Sequence, residues 1–301
     1  MELRHLRYFV AVAEEGSLTT AAERRLHTAQ PSLSRQIRDL ELEVGVTLLE
    51  RGARGITLTP AGRMFLDHAR LALMQVEAAA EAARRAAQPA KAAFTVGFLT
   101  GHEVVWLPEV LRILREEEPG IELTLASQSS PELAGALMRG KVDVAFLRRE
   151  APAPGLAYKF LIREPLVAVL PAGHRLAARK TIRPQDLVGE TYVAPTRVAP
   201  VLKAVIADFT AKAGITLTPD YDAENLSSAM SLVASTGGVT LLPLYARNLL
   251  SSAVVIRPLA GEAPTIDLVI GYNRASTSPL LKRFLARTDE LATRVGEHSP
   301  H

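Results

Sequence analysis

The sequence contains no cysteine, no long apolar run and a net charge of only +3. Without cysteine there is no disulfide, no thiolate metal site and no cysteine nucleophile. No apolar run reaches the roughly 20 residues that a membrane-spanning helix needs. Residues 1–8 are charged and then amphipathic, unlike the continuous apolar core of a signal peptide. We therefore expect a soluble, cytoplasmic protein that has no membrane partner.

The near absence of net charge also limits any argument about nucleic acid. Residues 1–60 hold eight arginines and eight acidic residues, so this segment is formally neutral. A DNA-binding role must therefore depend on where the arginines lie. Every Lys or Arg before Lys91 is an arginine, which suits phosphate and guanine recognition. A GC-rich genome would produce the same bias, and both explanations stand.

Three regions differ in their patterning. Residues 1–59 contain short amphipathic helices and one hairpin, residues 60–88 form a long alanine-rich helical stretch, and from Phe94 onward strands and helices alternate. Such alternation is typical of α/β architecture with a parallel sheet. The predicted domains are therefore 1–59, a linker and dimerisation helix at 60–91, and a regulatory domain at 92–301.

The first region has the pattern of three helices. Apolar residues at helical spacing predict helices over residues 4–14 and 18–26, the second one capped by Ser17. Gln30 and Pro31 open a third helix, because proline is tolerated in a first turn, and Gly45 ends it. Its buried stripe is expected at Leu33, Ile37, Leu40 and Val44.

Two short apolar strands around a Gly and Arg tip follow and predict a β-hairpin. A turn between two helices, the second with Ser and Arg exposed, is helix-turn-helix geometry, and the hairpin would be its wing. The same pattern also fits a purely structural module. If the module binds DNA, we expect its contacts at Gln30, Pro31, Ser32, Ser34, Arg35 and Arg38, with Arg51 and Arg54 in the wing.

The long helix carries a heptad pattern. Apolar residues alternate by four and three along one seam, which suits pairing with another helix. We expect Phe65 and Val76 to dominate this contact, because alanines bury little area. The predicted dimerisation residues are Phe65, Ala69, Ala72 and Val76.

Several runs together identify the first sixty residues. These are LRYFVAVAEEGSLT at 6–19, AQPSLSRQI at 29–37, LLER at 48–51 and LTPAG at 58–62. In this order they closely resemble the start of LysR-type transcriptional regulators. Most members carry one residue fewer between the Gly-Ser of the first turn and the Gln-Pro of the third helix. We therefore expect a slightly longer second helix or turn here, and do not carry family contacts over to Arg24, Arg25 or His27.

The resemblance implies more about assembly and fold. The long helix of the family pairs two chains, and many members are tetramers, which implies a dimer or tetramer here. The C-terminal part resembles periplasmic solute-binding proteins, with two α/β lobes and an effector in the cleft. Crossings near 161–164 and 264–267 would assign lobe I to 92–162 and 268–301, and lobe II to 163–267.

The cleft residues follow from that fold. Ligands of open α/β sheets lie beyond the carboxyl ends of the strands, and in this family hydroxyl and peptide N–H groups there commonly hold an organic anion. The predicted effector residues are Thr100, Ser129, Ser130, Arg148, Thr196, Arg197 and Asn225. Two alternatives stay open: Ser130 is only a helix cap, and Arg148 and Arg149 only pair with Glu150.

The function favoured by the sequence is a ligand-gated regulator of transcription. Its partners would be double-stranded promoter DNA, a small organic acid (aromatic acids included), further copies of itself and RNA polymerase. A solute-binding protein would need a signal peptide and would not need residues 1–88. An enzyme acting on a carboxylate would need a catalytic constellation, and His102–Glu103 lacks a nucleophile. The histidines show no metal-ligand spacing, so we expect no enzyme activity, metal or cofactor.

Overall fold

The computed structural model describes residues 1–52, 55–87, 93–150, 153–195 and 199–298. The chain forms two compact units, Met1–Ala87 and Gln88–His301. Among the described residues, no helix is both long and apolar enough to cross a membrane.

The first unit begins with two helices joined by a tight turn. Helix α1 (Leu3–Glu15) ends at Gly16, whose φ of 63° is left-handed and suits glycine. Helix α2 (Leu18–Thr20) starts at Ser17, whose side chain accepts a hydrogen bond from the backbone N–H of Thr20, as predicted for a cap.

The chain then leaves α-helical geometry. Residues Ala21–Leu26 form a π-helical turn, and the backbone N–H of Thr28 donates to the carbonyl of Ala22 over 3.0 Å. The turn ends at His27, which has a φ of 48°. A π turn holds one more residue than an α turn. This geometry is consistent with the longer second helix or turn expected from the sequence, and the extra residue itself stays a prediction.

A third helix and a hairpin complete the core of this unit. Helix α3 (Gln30–Val44) buries Leu33, Ile37 and Leu40, while Val44 is partly buried, so the predicted stripe is largely confirmed. Strands β1 (Leu49–Gly52) and β2 (Gly55–Leu58) pair antiparallel. The tip, with Arg54, lies outside the described residues.

The long helix α4 (Pro60–Ala87) follows directly. The Thr59 hydroxyl accepts a hydrogen bond from the Gly62 N–H over 2.8 Å and donates to the carbonyl of Thr47 over 2.9 Å. Thr59 therefore caps α4 and ties it to the loop before the hairpin.

The second unit opens with the predicted parallel pattern. Strands β3 (Ala93–Leu99), β4 (Glu122–Gln128) and β5 (Val144–Leu147) are connected by helices α5 (Glu103–Glu117) and α6 (Ser130–Met138). Strand β3 lies between the other two and pairs parallel with both. The carboxyl ends of all three strands therefore meet at one edge of the sheet.

One long strand joins the two halves of this unit. The first ten residues of β6 (Leu156–Pro171) pair with β11 (Thr265–Asn273), which also pairs with β5. The last six pair with β9 (Thr240–Pro243) and β10 (Val254–Pro258). The apolar run of residues 165–170 predicts a strand of that length only, and β6 is longer because it also pairs with β11. We call the half with β3, β4, β5 and β11 lobe I, and the half with β9 and β10 lobe II.

The remaining elements cover these sheets. Lobe II also holds β7 (Tyr192–Ala194), β8 (Pro219–Asp222), α7 (Pro200–Lys212) and α8 (Leu226–Thr236). The pattern of residues 280–294 predicts one closing helix, and this prediction is wrong. Two helices, α9 (Pro279–Ala286) and α10 (Thr288–His298), replace it, and the buried Thr288 donates its hydroxyl proton to the carbonyl of Leu285 at the break.

Candidate DNA-reading face and effector pocket

The exposed start of α3 carries most of the predicted DNA contacts. Pro31, Ser32, Arg35 and Arg38 are exposed, and Gln30 is half-buried. Arg35 and Arg38 lie about one turn apart, so their guanidinium groups project from neighbouring positions of one face. This face can present cations and hydroxyl groups to a polyanion.

Ser34 does not belong to that face. Its side chain is buried and accepts a hydrogen bond of 3.0 Å from Nη2 of Arg51 in strand β1. The predicted exposure of Ser34 is therefore wrong, and a DNA contact of this residue stays a prediction. Arg51 is itself exposed, and its guanidinium connects the wing to α3.

The predicted dimerisation seam splits into two parts. The Phe65 ring packs edge-on against Phe9 of the same chain, with ring centroids 5.1 Å apart, and Ala69 is buried in the core of the first unit. The prediction that Ala69 lies in a seam between chains is therefore wrong. Phe65 packs on the core of its own chain. Ala72 and Val76 are exposed, so a pairing role for them stays a prediction.

An ion-pair cluster connects α4 to two earlier elements of the first unit. Arg70 donates to the carboxylate of Glu14 on α1 over 3.0 and 2.6 Å, and Arg25 of the π turn pairs with the same carboxylate. Burial alone would raise the pKa of Glu14, but the hydrogen bonds from Arg70 and Arg25 outweigh it and lower that pKa. The cluster joins α1, the π turn and α4.

A cavity of about 480 Å³ lies at the carboxyl edge of β3, β4 and β5, facing α7 and α8 of lobe II. Five of the seven predicted effector residues line it, and the other two, Thr196 and Arg197, lie outside the described residues. The five are Thr100, Ser129, Ser130, Arg148 and Asn225. Seven of the other lining residues are apolar or aromatic: Leu99, Ala199, Leu202, Leu226, Pro243, Tyr245 and Ile266. The remaining five are polar: Ser127, Gln128, Glu132, Glu150 and Glu224.

Hydroxyl groups are set out along the lobe I wall of the pocket. The Ser127 hydroxyl lies 3.3 Å from Oγ1 of Thr100 and 3.0 Å from a carboxylate oxygen of Glu103. The Ser130 hydroxyl accepts a hydrogen bond of 2.9 Å from the backbone N–H of Arg148, so its own proton remains able to donate.

The cap of α6 is Ser129. Its hydroxyl donates to the Glu132 carboxylate over 2.6 Å, and the two residues form a capping box. The alternative that Ser130 acts as this cap is therefore wrong. Hydrogen bonds from the Ser129 hydroxyl and backbone lower the pKa of Glu132. Asn225 caps α8 in the same way, through a hydrogen bond of 2.9 Å from the Ser228 N–H.

Arg148 is paired with a carboxylate that the sequence did not suggest. Its guanidinium forms a buried ion pair with Glu164 of β6, and the alternative of Glu150 as its partner is wrong. Arg149 lies over the Tyr158 ring instead, 5.5 Å from the centroid. Arg148 therefore reaches the pocket with its charge already compensated.

His102, which the sequence singled out only as part of a His–Glu pair without a nucleophile, is buried. Its Nε2 lies 3.4 Å from Glu164, and its ring centroid lies 3.6 Å from that of Tyr245. Its Nδ1 is buried without a hydrogen-bond partner among the described residues. Burial lowers the pKa of His102 and keeps the ring neutral, although the hydrogen bond with Glu164 acts the other way. No sequence signal joins residues 62 positions apart.

Two family models match nearly the whole chain. "Bacterial regulatory helix-turn-helix protein, lysR family" matches residues 3–63, and "LysR substrate binding domain" matches residues 87–292. The chain is 41% identical to the Hca operon transcriptional activator HcaR of Escherichia coli (strain K12), over 96% of this chain and 98% of that one. It is 34% identical to the HTH-type transcriptional regulator AlsR of Bacillus subtilis (strain 168), over 99% and 98%.

Solved structures show the same architecture. The crystal structure of full-length BenM covers 100% of this chain and 99% of that one, with a TM-score of 0.60 and 28% identity. Full-length CbnR complexed with its target DNA covers 97% and 100%, with a TM-score of 0.58 and 27% identity. The winged helix-turn-helix, the two-lobed pocket domain and these matches agree: the chain belongs to the LysR family of DNA-binding transcriptional regulators.

Proposed function

We propose that this regulator reads promoter DNA through the exposed start of α3 and responds to a small organic acid, aromatic acids included, bound in the pocket between lobes I and II. The family membership supports the division into a DNA-reading unit and an effector-binding unit. Pairing of the long helices through Ala72 and Val76 would supply a dimer that presents two DNA-reading faces, and a tetramer would double this.

The observation that carries the effector proposal is the convergence of strand-end hydroxyl groups on an apolar pocket. Thr100 follows β3, and Ser129 and Ser130 follow β4, yet all three line one cavity. Its volume lies within the range of roughly 300–1,000 Å³ of small-molecule sites. Oriented hydroxyl donors satisfy a buried carboxylate, and apolar walls cover the body of the ligand.

The charge state of Arg148 refines this proposal. Glu164 already compensates the charge of the Arg148 guanidinium. Among the described lining residues, hydrogen-bond donors rather than an unpaired cation would therefore hold the ligand. A singly charged acid with an apolar body fits such a wall. The effector would alter DNA binding only if it prefers one arrangement of the lobes over another.

DNA reading is tested by a shift assay with the upstream region of the gene. Replacing an arginine that reads a base costs about 1–3 kcal/mol and relaxes specificity, so Arg35→Ala and Arg38→Ala should weaken binding accordingly. Arg84→Ala removes an exposed arginine paired with Glu81 on α4 and serves as the charge-matched control. An unchanged footprint for both α3 variants would overturn the proposed reading face.

Effector binding is tested by a thermal-shift screen of small acids, because a ligand of the folded state raises its apparent stability. Calorimetry then compares wild type with Thr100→Val and Ser130→Ala, using an acid found in the screen. Both variants should bind it at least several-fold more weakly. Thr293→Val, which removes an exposed hydroxyl on α10, is the control. Undiminished affinity in both pocket variants would place the ligand elsewhere.

A further inference from the structure

A carboxylate of the protein itself reaches across the pocket. Glu150 follows β5 in lobe I and lines the cavity, and its Oε2 accepts a hydrogen bond of 2.8 Å from the backbone N–H of Val201. Val201 lies in the first turn of α7, a lobe II helix that begins at Pro200. The proline has no N–H, so the Val201 N–H is the first donor of this turn.

The start of α7 would otherwise favour a ligand anion. The first turn of a helix offers unpaired N–H groups and the positive end of its dipole. Ala199 and Leu202, on either side of the turn, also line the cavity. The lobe II end of the pocket therefore has a backbone N–H oriented to donate to an anion, but this N–H already donates to Glu150.

The charges of the pocket lining also disfavour a second ligand carboxylate. The described lining contains three carboxylates, Glu132, Glu150 and Glu224, and a single cation, Arg148. The guanidinium of Arg148 is paired with Glu164 behind the wall. Burial raises the pKa of Glu150, against the hydrogen bond from Val201 and the charge of Arg148, so placing a second carboxylate beside it would be costly.

We propose that Glu150 restricts the pocket to effectors with one carboxylate, because its own carboxylate occupies the α7 amide that the second carboxylate of a diacid would need. This inference rests on the proposed function, in which an organic acid binds here. The single carboxylate of the ligand lies at the lobe I end, beside Thr100 and Ser130, and its body extends toward Leu202 and Tyr245. Glu150 is thus a specificity-determining residue.

The experiment measures discrimination between matched acids. Calorimetry at pH 7.5, where all the acids are ionised, compares benzoate with terephthalate and hexanoate with adipate on the full-length protein. The readout is the ratio of the diacid Kd to the monoacid Kd. Wild type should give a ratio of at least ten for the pair that binds. Glu150→Gln, which keeps an acceptor for Val201 but removes the charge, should reduce the ratio several-fold, and Glu150→Ala, which also frees the amide, should reduce it further.

Glu224→Gln is the matched control, since it removes one charge from the same lining at a residue that lies just before α8. Tryptophan fluorescence from the buried Trp106 verifies that each variant is folded. The inference would be overturned if Glu150→Gln and Glu224→Gln lowered the ratio of the diacid Kd to the monoacid Kd equally, or if Glu150→Gln left it unchanged. The proposed function would still stand in either case. A wild type that binds diacids as tightly as monoacids would also overturn it. If neither series bound wild type or any variant, the organic-acid function would fail as well.

Discussion

Arg51 of the wing donates a hydrogen bond of 3.0 Å to the buried hydroxyl of Ser34 on α3. This contact joins α3 and the wing, the two elements that we propose to face DNA, across 17 residues of chain. Arg51 therefore positions the wing against α3, apart from any DNA contact that we predict for it. Its loss should disturb the relative placement of the two elements as well as local charge.

The first prediction is that Ser34→Ala and Arg51→Ala are energetically coupled in DNA binding. A hydrogen bond to a charged group contributes about 1.5–3 kcal/mol, so each single variant should weaken binding and the double variant should add little. A double-mutant cycle in the shift assay measures the coupling. Arg51→Ala combined with Arg38→Ala is the control and should be additive within about 0.5 kcal/mol. Additive behaviour of the Ser34 and Arg51 pair would show that they act separately.

The second prediction separates assembly from folding on α4. Val76 is exposed on the seam, so Val76→Glu should disrupt the dimer, as sedimentation would measure, while the helix content stays the same. Phe65 packs against Phe9 within its own chain but is only partly buried, so Phe65→Ala should lower the free energy of unfolding by about 2–3 kcal/mol, less than for a core ring. An unaltered oligomer in Val76→Glu would remove the basis for helix pairing through this seam.

The third prediction concerns a close approach at Gly62. A Cβ at this position would lie 1.9 Å from the carbonyl oxygen of Leu48, a backbone atom that cannot turn away. Gly62→Ala should therefore push α4 from the hairpin and destabilise the first unit by about 1–3 kcal/mol or more. Scanning calorimetry of the full chain measures this. Gly52→Ala, whose Cβ would lie 3.8 Å from its nearest neighbour, is the control. Equal effects of the two substitutions would contradict the steric explanation.

The fourth prediction is a pH dependence from His102. Its pKa in the folded protein lies below the ordinary value of 6.5. As pH falls through 6.5, the unfolded chain binds a proton that the folded chain does not, so the free energy of unfolding decreases. Between pH 7.5 and 5.5, wild type should lose more stability than His102→Phe, which keeps a ring against Tyr245. The pKa of Glu164 is lowered below 4.5, so its effect begins at lower pH.

Urea unfolding followed by Trp106 isolates this effect, because Trp106 is the one tryptophan of the chain and lies in the core of lobe I, packed on Phe146. The two proteins differ only at residue 102, so a difference between their plots of unfolding free energy against pH belongs to that residue and its neighbours. If the free energy of unfolding changed equally with pH in both proteins, His102 would not resist protonation in the folded state.

The sequence predicted the elements that depend on local spacing. The apolar stripes of α1 and α3 arise from a period of 3.6 residues, and the strand-end hydroxyls meet because parallel strands share a carboxyl edge. The pocket at Thr100 and Ser130 could therefore be located before the structure.

The missed features depend on pairs that are distant in the chain. His102 meets Glu164, and Glu150 meets Val201, only after folding. The burial of Ser34 depends on an arginine from another element. No periodicity within one segment reports such contacts, and a single extra residue does not reveal whether a loop or a helix will absorb it.

The π turn of Ala21–Leu26 has a consequence for genetic exchange. We expect the extra residue to be accommodated in this turn, because α3 begins after it at Gln30 with its own proline and its own buried stripe. The segment from Gln30 to Val44 should therefore behave as a cassette that can be transplanted between relatives with or without the insertion. In such a chimera we expect the operator preference to be that of the protein that supplied residues 30–44. The length of the preceding turn would remain that of the recipient protein.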